Sequence, residues 1–198
     1  MISKRLFDLF FTLPGLMLLS PLFVIIAIWI KIDSPGPIFF RQERVGKHGK
    51  LFRIFKFRTM CVNAEMKGRQ ITVGVDPRIT NSGLLLRKYK LDELPQLLNV
   101  LIGNMSLVGP RPEVPRYINL YPNDVRDKVL SVNPGITDYT SIEFKDENHI
   151  LGLSNDPDKT YIEEILPIKQ TYYLRYINER SMLIDFVIIL RTIKAIVY

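Results

Sequence analysis

The chain has 198 residues, of which 47% are hydrophobic and 24% are charged. This composition excludes a disordered protein, and the length predicts one globular domain plus an accessory segment. Cys61 is the only cysteine, and His48 and His149 are the only histidines, which excludes a disulfide framework and a cysteine-based zinc site. The net charge is +7, and residues 41–90 hold thirteen Lys and Arg against three acids. This basic half indicates an anionic partner, which is nucleic acid, a phosphorylated small molecule or an acidic membrane face.

The first predicted element is the apolar segment of residues 7–30 (FDLFFTLPGLMLLSPLFVIIAIWI). At about 1.5 Å per residue, a helix of this length spans a hydrocarbon core of about 30 Å. Ser20 and Pro21 lie near its centre, where a proline removes a helical hydrogen bond and predicts a sharp bend. Basic residues flank both ends, and the positive-inside rule therefore places both ends on the cytoplasmic side. The segment predicts a re-entrant helix-break-helix hairpin, with a kinked spanning helix as the alternative.

A β-hairpin is predicted directly after this segment, in residues 34–60 (SPGPIFFRQERVGKHGKLFRIFKFRTM). Two runs rich in aromatic and β-branched residues, near 38–44 and 51–59, are joined across the glycine turn at 46–49. The basic side chains of this hairpin either solubilise an exposed face or meet anionic headgroups or phosphates. They are Lys47, Lys50, Arg53 and Lys56.

Two helices are predicted next, over residues 82–90 and over LPQLLNVLIGNMS, the second ending near Gly103. Asp92 and Glu93 stand side by side at the boundary between them. If Asp92 is the N-cap of the second helix, the positive end of the helix dipole favours an ionised carboxylate and a bound phosphate. A carboxylate is a possible nucleophile toward phosphorus, and a second carboxylate beside it holds a hard cation. The alternative is a simple helix cap with exposed neighbours.

The last predicted helix covers residues 182–198 (MLIDFVIILRTIKAIVY), in which charged residues interrupt the apolar ones. This pattern fits an in-plane amphipathic helix at a membrane interface, and it fits core packing equally well. The sequence therefore predicts an α+β fold with two parts. Residues 1–32 form the predicted membrane anchor, and residues 33–198 form a mainly helical domain with a small β-hairpin and amphipathic interfacial helices.

A family resemblance rests on several motifs in fixed order. The longest motif is LDELPQLLNVLIGNMSLVGPRPE, residues 91–113. It is preceded by Ser-Pro in the apolar segment and by FRQERVG and FKFRTM, and it is followed by NPGIT. The chain resembles the small monotopic bacterial phosphoglycosyl transferases, most clearly from Lys4 to Thr137. These polyprenyl-phosphate sugar-1-phosphate transferases initiate surface glycan assembly. The resemblance implies an enzyme on the cytoplasmic face of the bacterial inner membrane, and no nucleic-acid partner.

The resemblance also implies a reaction and the residues that perform it. A sugar-1-phosphate passes from a UDP-sugar to undecaprenyl phosphate with Mg²⁺, and UMP is released. Asp92 is then the nucleophile that carries the phosphosugar, and Glu93 assists it or binds the metal with it. Arg87 and Arg111 hold phosphate, while Ser20 and Pro21 match the family's hairpin break.

Two departures from the family pattern concern Asp138, where glycine is common, and Asn104, where aspartate is usual. The first, with the acidic stretch of residues 143–164, leaves the sugar unassigned. Two other functions stay open at this point. One is a membrane-anchored module that binds anionic lipid or nucleic acid without catalysis, and the other is a metal-dependent phosphodiesterase or nuclease.

Overall fold

The computed structural model describes residues 2–64, 76–143 and 147–197. It has the predicted α+β class and is mostly helical. The helices of the described residues are α1 (Ile2–Asp33), α2 (Asn81–Lys88), α3 (Gln96–Ile102), α4 (Pro115–Ile118), α5 (Asn123–Val129), α6 (Tyr139–Glu143), α7 (Glu147–Gly152), α8 (Pro157–Thr160), α9 (Leu166–Glu179) and α10 (Met182–Val197). The strands are β1 (Phe39–Phe40), β2 (Glu43–Val45), β3 (Leu51–Arg53), β4 (Lys56–Phe57), β5 (Ser106–Val108) and β6 (Gly135–Thr137). Residues 144–146 of the acidic stretch and the side chain of His149 lie outside the description.

The predicted β-hairpin is present and consists of two short antiparallel strand pairs. β2 pairs with β3 in antiparallel register, with Arg44 opposite Phe52. β1 then pairs with β4, so that Phe40 lies opposite Lys56. Phe57 follows Lys56 and is buried, and because side chains alternate along a strand, Lys56 points to the opposite face. The hairpin therefore directs Lys56 away from its own apolar core.

α1 is assigned as one continuous helix that contains both Pro14 and Pro21. It is long and apolar enough to cross a membrane. Helix α1 continues through Ser20 and Pro21, and both residues are exposed. The predicted interruption at these residues is therefore not confirmed. The Ser20 hydroxyl donates a hydrogen bond to the carbonyl of Met17 over 2.8 Å. The re-entrant hairpin therefore remains a prediction.

Both ends of α1 are attached to the same domain. Near the start, Arg5 donates hydrogen bonds to the carbonyls of Val100 and Leu101 at the end of α3. Near the end, the Asp33 carboxylate accepts from the backbone and hydroxyl of Ser82 over 2.9 and 2.8 Å. A straight helix would separate Arg5 from Asp33 by about 42 Å. These contacts therefore tie two distant points of the apolar segment to one domain.

α10 packs on the core, as one of its two interpretations predicts, and its membrane-interface role stays a prediction. Ile188 is fully buried in a cluster with Val100 and Met105. On the other side of the helix, Leu183 and Leu190 are exposed. One face of α10 thus packs on the core, and the opposite face presents apolar side chains outward.

The short parallel pair of β5 and β6 brings the segment after each strand together. Ser106 lies opposite Gly135 in this pair. A Cβ atom on Gly135 would lie 2.1 Å from the backbone nitrogen of Gly109, and only glycine permits this approach. The chain that follows Gly109 therefore leaves the sheet in a fixed direction and carries Arg111 to the site described below.

Candidate active site

Asp92 and Glu93 lie in the 3₁₀ turn Leu91–Glu93 between α2 and α3. Lys90 adopts a left-handed conformation with φ 55°, and the amide of Leu94 bonds to the carbonyl of Leu91 over 3.2 Å. α3 consequently begins only at Gln96, with Pro95 as its N-cap. The prediction that Asp92 caps this helix is therefore wrong. A 3₁₀ turn has three residues per turn, and the two adjacent acids accordingly point in different directions.

Glu93 is held between two cations. The Arg111 guanidinium donates from Nη1 to Oε2 over 2.9 Å and from Nη2 to Oε1. Lys56 Nζ donates to Oε1 over 2.7 Å. A two-pronged arginine contact fixes both the position and the plane of a carboxylate. Glu93 is therefore rigidly placed.

The charges around Glu93 determine its ionisation. Burial by itself would raise the pKa of Glu93, but Arg111 and Lys56 hold that pKa well below its usual range. The nearby Glu93 in turn raises the pKa of Arg111 well above its ordinary value. Burial lowers the pKa of Lys56, against the opposing charge of Glu93. Glu93 is thus an ionised carboxylate throughout the physiological pH range.

The environment of Asp92 shifts its pKa in the opposite direction to that of Glu93. Its side chain is buried, and burial raises its pKa, with Lys56 opposing the shift and Glu93 adding to it. Arg87, in the last turn of α2, also opposes the shift and so lies within electrostatic reach of Asp92. Neighbouring carboxylates whose pKa values are pushed apart are typical of sites in which each has a separate role.

The structure brings together four of the predicted site residues, namely Asp92, Glu93, Arg87 and Arg111. Ser20 and Pro21 lie elsewhere, in the middle of α1. The sequence alone did not identify Lys56 as a site residue, because its neighbours indicate only the basic face of a hairpin. The alternation in FKFRTM was an available signal, since a lysine between two phenylalanines of a strand faces away from both.

The carboxylates also have the chemistry expected of a magnesium site. Mg²⁺ is usually held by one or two carboxylates, with water and substrate phosphates as the other ligands. Within the described ranges, no group of three or more acids, histidines or cysteines is placed to hold a metal. Glu93 Oε1 already contacts Lys56 and Arg111, whereas Oε2 accepts from Arg111. Asp92 and Oε2 of Glu93, which has one cation contact where Oε1 has two, would supply two ligands at most, and the remaining ligands would come from substrate or water.

The site thus combines a buried and a half-buried carboxylate with the cations Lys56, Arg87 and Arg111, and such a group is suited to phosphate chemistry. The family model described as bacterial sugar transferase matches residues 1–198. The chain belongs to this family.

Relatives across several bacteria are similar over nearly the whole chain. The UDP-N-acetylgalactosamine-undecaprenyl-phosphate N-acetylgalactosaminephosphotransferase of Aeromonas hydrophila is 38% identical over 98% of this chain and 43% of its own length. The UDP-glucose:undecaprenyl-phosphate glucose-1-phosphate transferase of Escherichia coli is 36% identical over 96% of this chain and 39% of its own length. The exopolysaccharide production protein ExoY of Sinorhizobium fredii is 34% identical over 98% of this chain and 85% of its own length. The chain thus spans about two fifths of the first two relatives.

Proposed function

We propose that this protein transfers a sugar-1-phosphate from a UDP-sugar to undecaprenyl phosphate and so initiates the assembly of a surface glycan. The observation that carries this proposal is the buried Asp92 beside a Glu93 that Lys56 and Arg111 hold in place. The names of the Aeromonas and Escherichia relatives contain undecaprenyl phosphate and a UDP-sugar, which supports both substrate classes.

The reaction proceeds in two displacements at one phosphorus atom. In the first, an Asp92 carboxylate oxygen bonds to the phosphorus that bears the sugar, and the bond from this phosphorus to the oxygen of UMP breaks. UMP leaves with the electron pair. In the second, an oxygen of undecaprenyl phosphate bonds to the same phosphorus, and the Asp92 oxygen leaves as a carboxylate. Burial favours this role, because a raised pKa makes the ionised Asp92 more basic.

The cations of the site bind and orient the anionic donor. Arg87 and Arg111 hold donor phosphate oxygens, and Lys56 holds Oε1 of Glu93 in place. Asp92 and Glu93 are the residues that would hold Mg²⁺, which screens the negative charge of the diphosphate when bound.

Residues 1–32 act as a re-entrant anchor on the cytoplasmic face of the inner membrane, with residues 33–198 as the catalytic domain. The attachment of both ends of α1 to one domain supports this topology, because a helix that spans the bilayer separates its ends. The exposed apolar face of α10 supports membrane contact as well.

UMP release from a panel of UDP-sugars is the experiment that tests this function. We expect release to require one of these sugars and Mg²⁺, to stop on chelation, and to turn over repeatedly only when undecaprenyl phosphate is present. A binding module releases no UMP. A phosphodiesterase or nuclease turns over without the lipid and delivers its product to water, and either result would overturn the proposal.

The membrane topology is tested by labelling single cysteines in a Cys61→Ser background. Ser3→Cys and Pro35→Cys mark the two ends of α1, and Lys50→Cys marks the domain; all three positions are exposed. A membrane-impermeant maleimide is expected to react with all three in inside-out vesicles and with none in intact spheroplasts. Reaction of Ser3→Cys from the opposite side to Lys50→Cys would mean a spanning helix.

A further inference from the structure

A second group of buried charged and polar side chains lies behind Arg111. The Tyr161 hydroxyl donates to Glu113 Oε1 over 2.7 Å, and Lys169 Nζ donates to the Tyr161 hydroxyl over 3.3 Å. Lys169 Nζ also lies 2.7 Å from Glu147 Oε2. Glu113, Tyr161 and Lys169 are each no more than 5% exposed. We call these four residues the rear network.

The rear network is costly to keep buried. A buried ammonium is tolerated only where carboxylates and hydrogen bonds compensate its lost hydration, and such groups add little net stability. These contacts therefore contribute more to fixing geometry than to stability. The π-helical turn Tyr161–Ile165 directly precedes α9, and π-helical turns occur frequently at functional sites. Tyr161 begins this turn and Lys169 lies in the helix that follows it. Lys169 Nζ lies over the Tyr161 ring, 4.8 Å from its centroid.

The rear network contacts the segment that carries Arg111. Glu113 is two residues beyond Arg111, and Arg44 Nη1 lies 3.9 Å from Glu113 Oε2 and donates to the carbonyl of Pro112 over 3.4 Å. After Glu93, the charges of Asp138 and Glu147 also raise the pKa of Arg111. Glu147 therefore has Lys169 on one side and lies within electrostatic reach of the Arg111 guanidinium.

We propose that Lys169 is a positioning residue for Arg111, through which it determines the affinity for the diphosphate of the donor. It anchors Glu113 through Tyr161, and it neutralises Glu147, whose charge would otherwise repel an incoming diphosphate. This inference rests on the proposed function, in which Arg111 holds a donor phosphate. It assigns a role to Glu147 in the acidic stretch that the family resemblance left unexplained.

The test combines Lys169→Met, Glu147→Gln and the double variant, with KM and kcat for UMP release and the thermal midpoint as readouts. Lys169→Met leaves the Glu147 charge uncompensated, and we expect KM for the UDP-sugar to rise about tenfold with kcat within about twofold. Glu147→Gln alone removes a negative charge and leaves KM unchanged or lower. The double variant recovers most of the lost affinity. Lys159→Met is the matched control, because its partner Glu163 forms an exposed pair with it.

A purely structural role has a different signature. It lowers the thermal midpoint of Lys169→Met without changing KM, and an unchanged KM would overturn the proposal. A raised KM that Glu147→Gln does not recover would overturn it as well. If Lys169→Met does not fold, Tyr161→Phe carries the test. It retains the pair of Lys169 with Glu147 but loses the hydrogen bond to Glu113, and its KM is expected to rise about threefold. An unchanged KM in Tyr161→Phe then contradicts the proposal.

Calorimetric binding of UDP to the full chain in detergent separates this inference from the proposed function. The affinity for UDP is expected to follow the same order as the affinity for the UDP-sugar. It should be lowest in Lys169→Met and mostly recovered in the double variant. If wild type binds UDP in this pattern but releases no UMP from any UDP-sugar, the proposed function fails and the positioning role stands. Normal turnover with an unchanged Kd across the variants refutes the positioning role alone. A wild-type protein that binds no UDP overturns both.

Discussion

Replacing Asp92 with asparagine is expected to abolish UMP release and the covalent phosphosugar adduct while leaving the protein folded. Asparagine has nearly the same shape, but its amide is a very poor nucleophile toward phosphorus. Loss of a nucleophile typically lowers kcat by about 10⁴-fold or more. The measurement is the intact mass of the protein after mixing with the UDP-sugar and Mg²⁺ but no lipid. Wild type should gain one phosphosugar on the peptide that contains Asp92.

The stability of Asp92→Asn at neutral pH is expected to equal or exceed that of wild type. Burial raises the pKa of Asp92, so the folded state prefers the protonated acid and loses stability as pH rises above the ordinary value of 3.8. A neutral amide removes this penalty. Asp127→Asn is the control, because Asp127 is exposed. Robust wild-type turnover without an adduct under rapid quench, with kinetics that require both substrates together, would instead make Asp92 a base or a metal ligand in direct transfer.

Replacing Glu93 with glutamine is expected to lower kcat by about 10²-fold, a loss typical of a positioned acid or electrostatic group. Lys56 and Arg111 lose the carboxylate that both of them contact and that orients them. The adduct still forms, slowly, and still maps to the peptide that contains Asp92. Single-turnover UMP release measures this effect on the first displacement. Glu43→Gln on the exposed edge of the hairpin is the matched control and should leave the rate unchanged.

Glu93→Gln is also expected to lower the free energy of unfolding, by up to about 3 kcal/mol, since removing one partner leaves two half-buried cations uncompensated. The exposure of Arg111, at 31% of its side chain, reduces this loss. Because the folded-state pKa of Glu93 lies well below 4.5, its contribution is complete above that pH and is lost as pH falls toward the lowered value. The stability difference between variant and wild type should therefore narrow in acid. A difference that is constant with pH would contradict the ion-pair explanation.

The fold was predictable where local pattern determines it. The hairpin of residues 39–57 and the helices α2 and α3 follow from alternation, glycine turns and helical periodicity, and all three are confirmed. The parallel pair of β5 and β6 was not predicted, because three-residue strands carry too little pattern to recognise. α10 was left between two interpretations, since an apolar face looks the same in sequence whether it packs on a core or faces outward.

The candidate site was predictable only in part. Arg87 and Arg111 were named from the family pattern, and the structure places both near the two acids. Lys56 was not named as a site residue, because 37 residues separate it from Glu93 along the chain and no local spacing relates the two. The helix cap proposed for Asp92 was wrong, because the left-handed conformation of Lys90 delays the start of α3.

The sequence by itself determined the apolar segment, the basic hairpin, the helices α2, α3 and α10 and the identity of the two candidate acids, because these depend on residue type and near neighbours. Only the tertiary structure decided that adjacent carboxylates have opposite environments. Asp92 is buried with a raised pKa, whereas Glu93 lies between Lys56 and Arg111 with a lowered one. The physical reason is that burial and long-range charge determine a pKa, and both depend on which distant segments the fold packs around a residue.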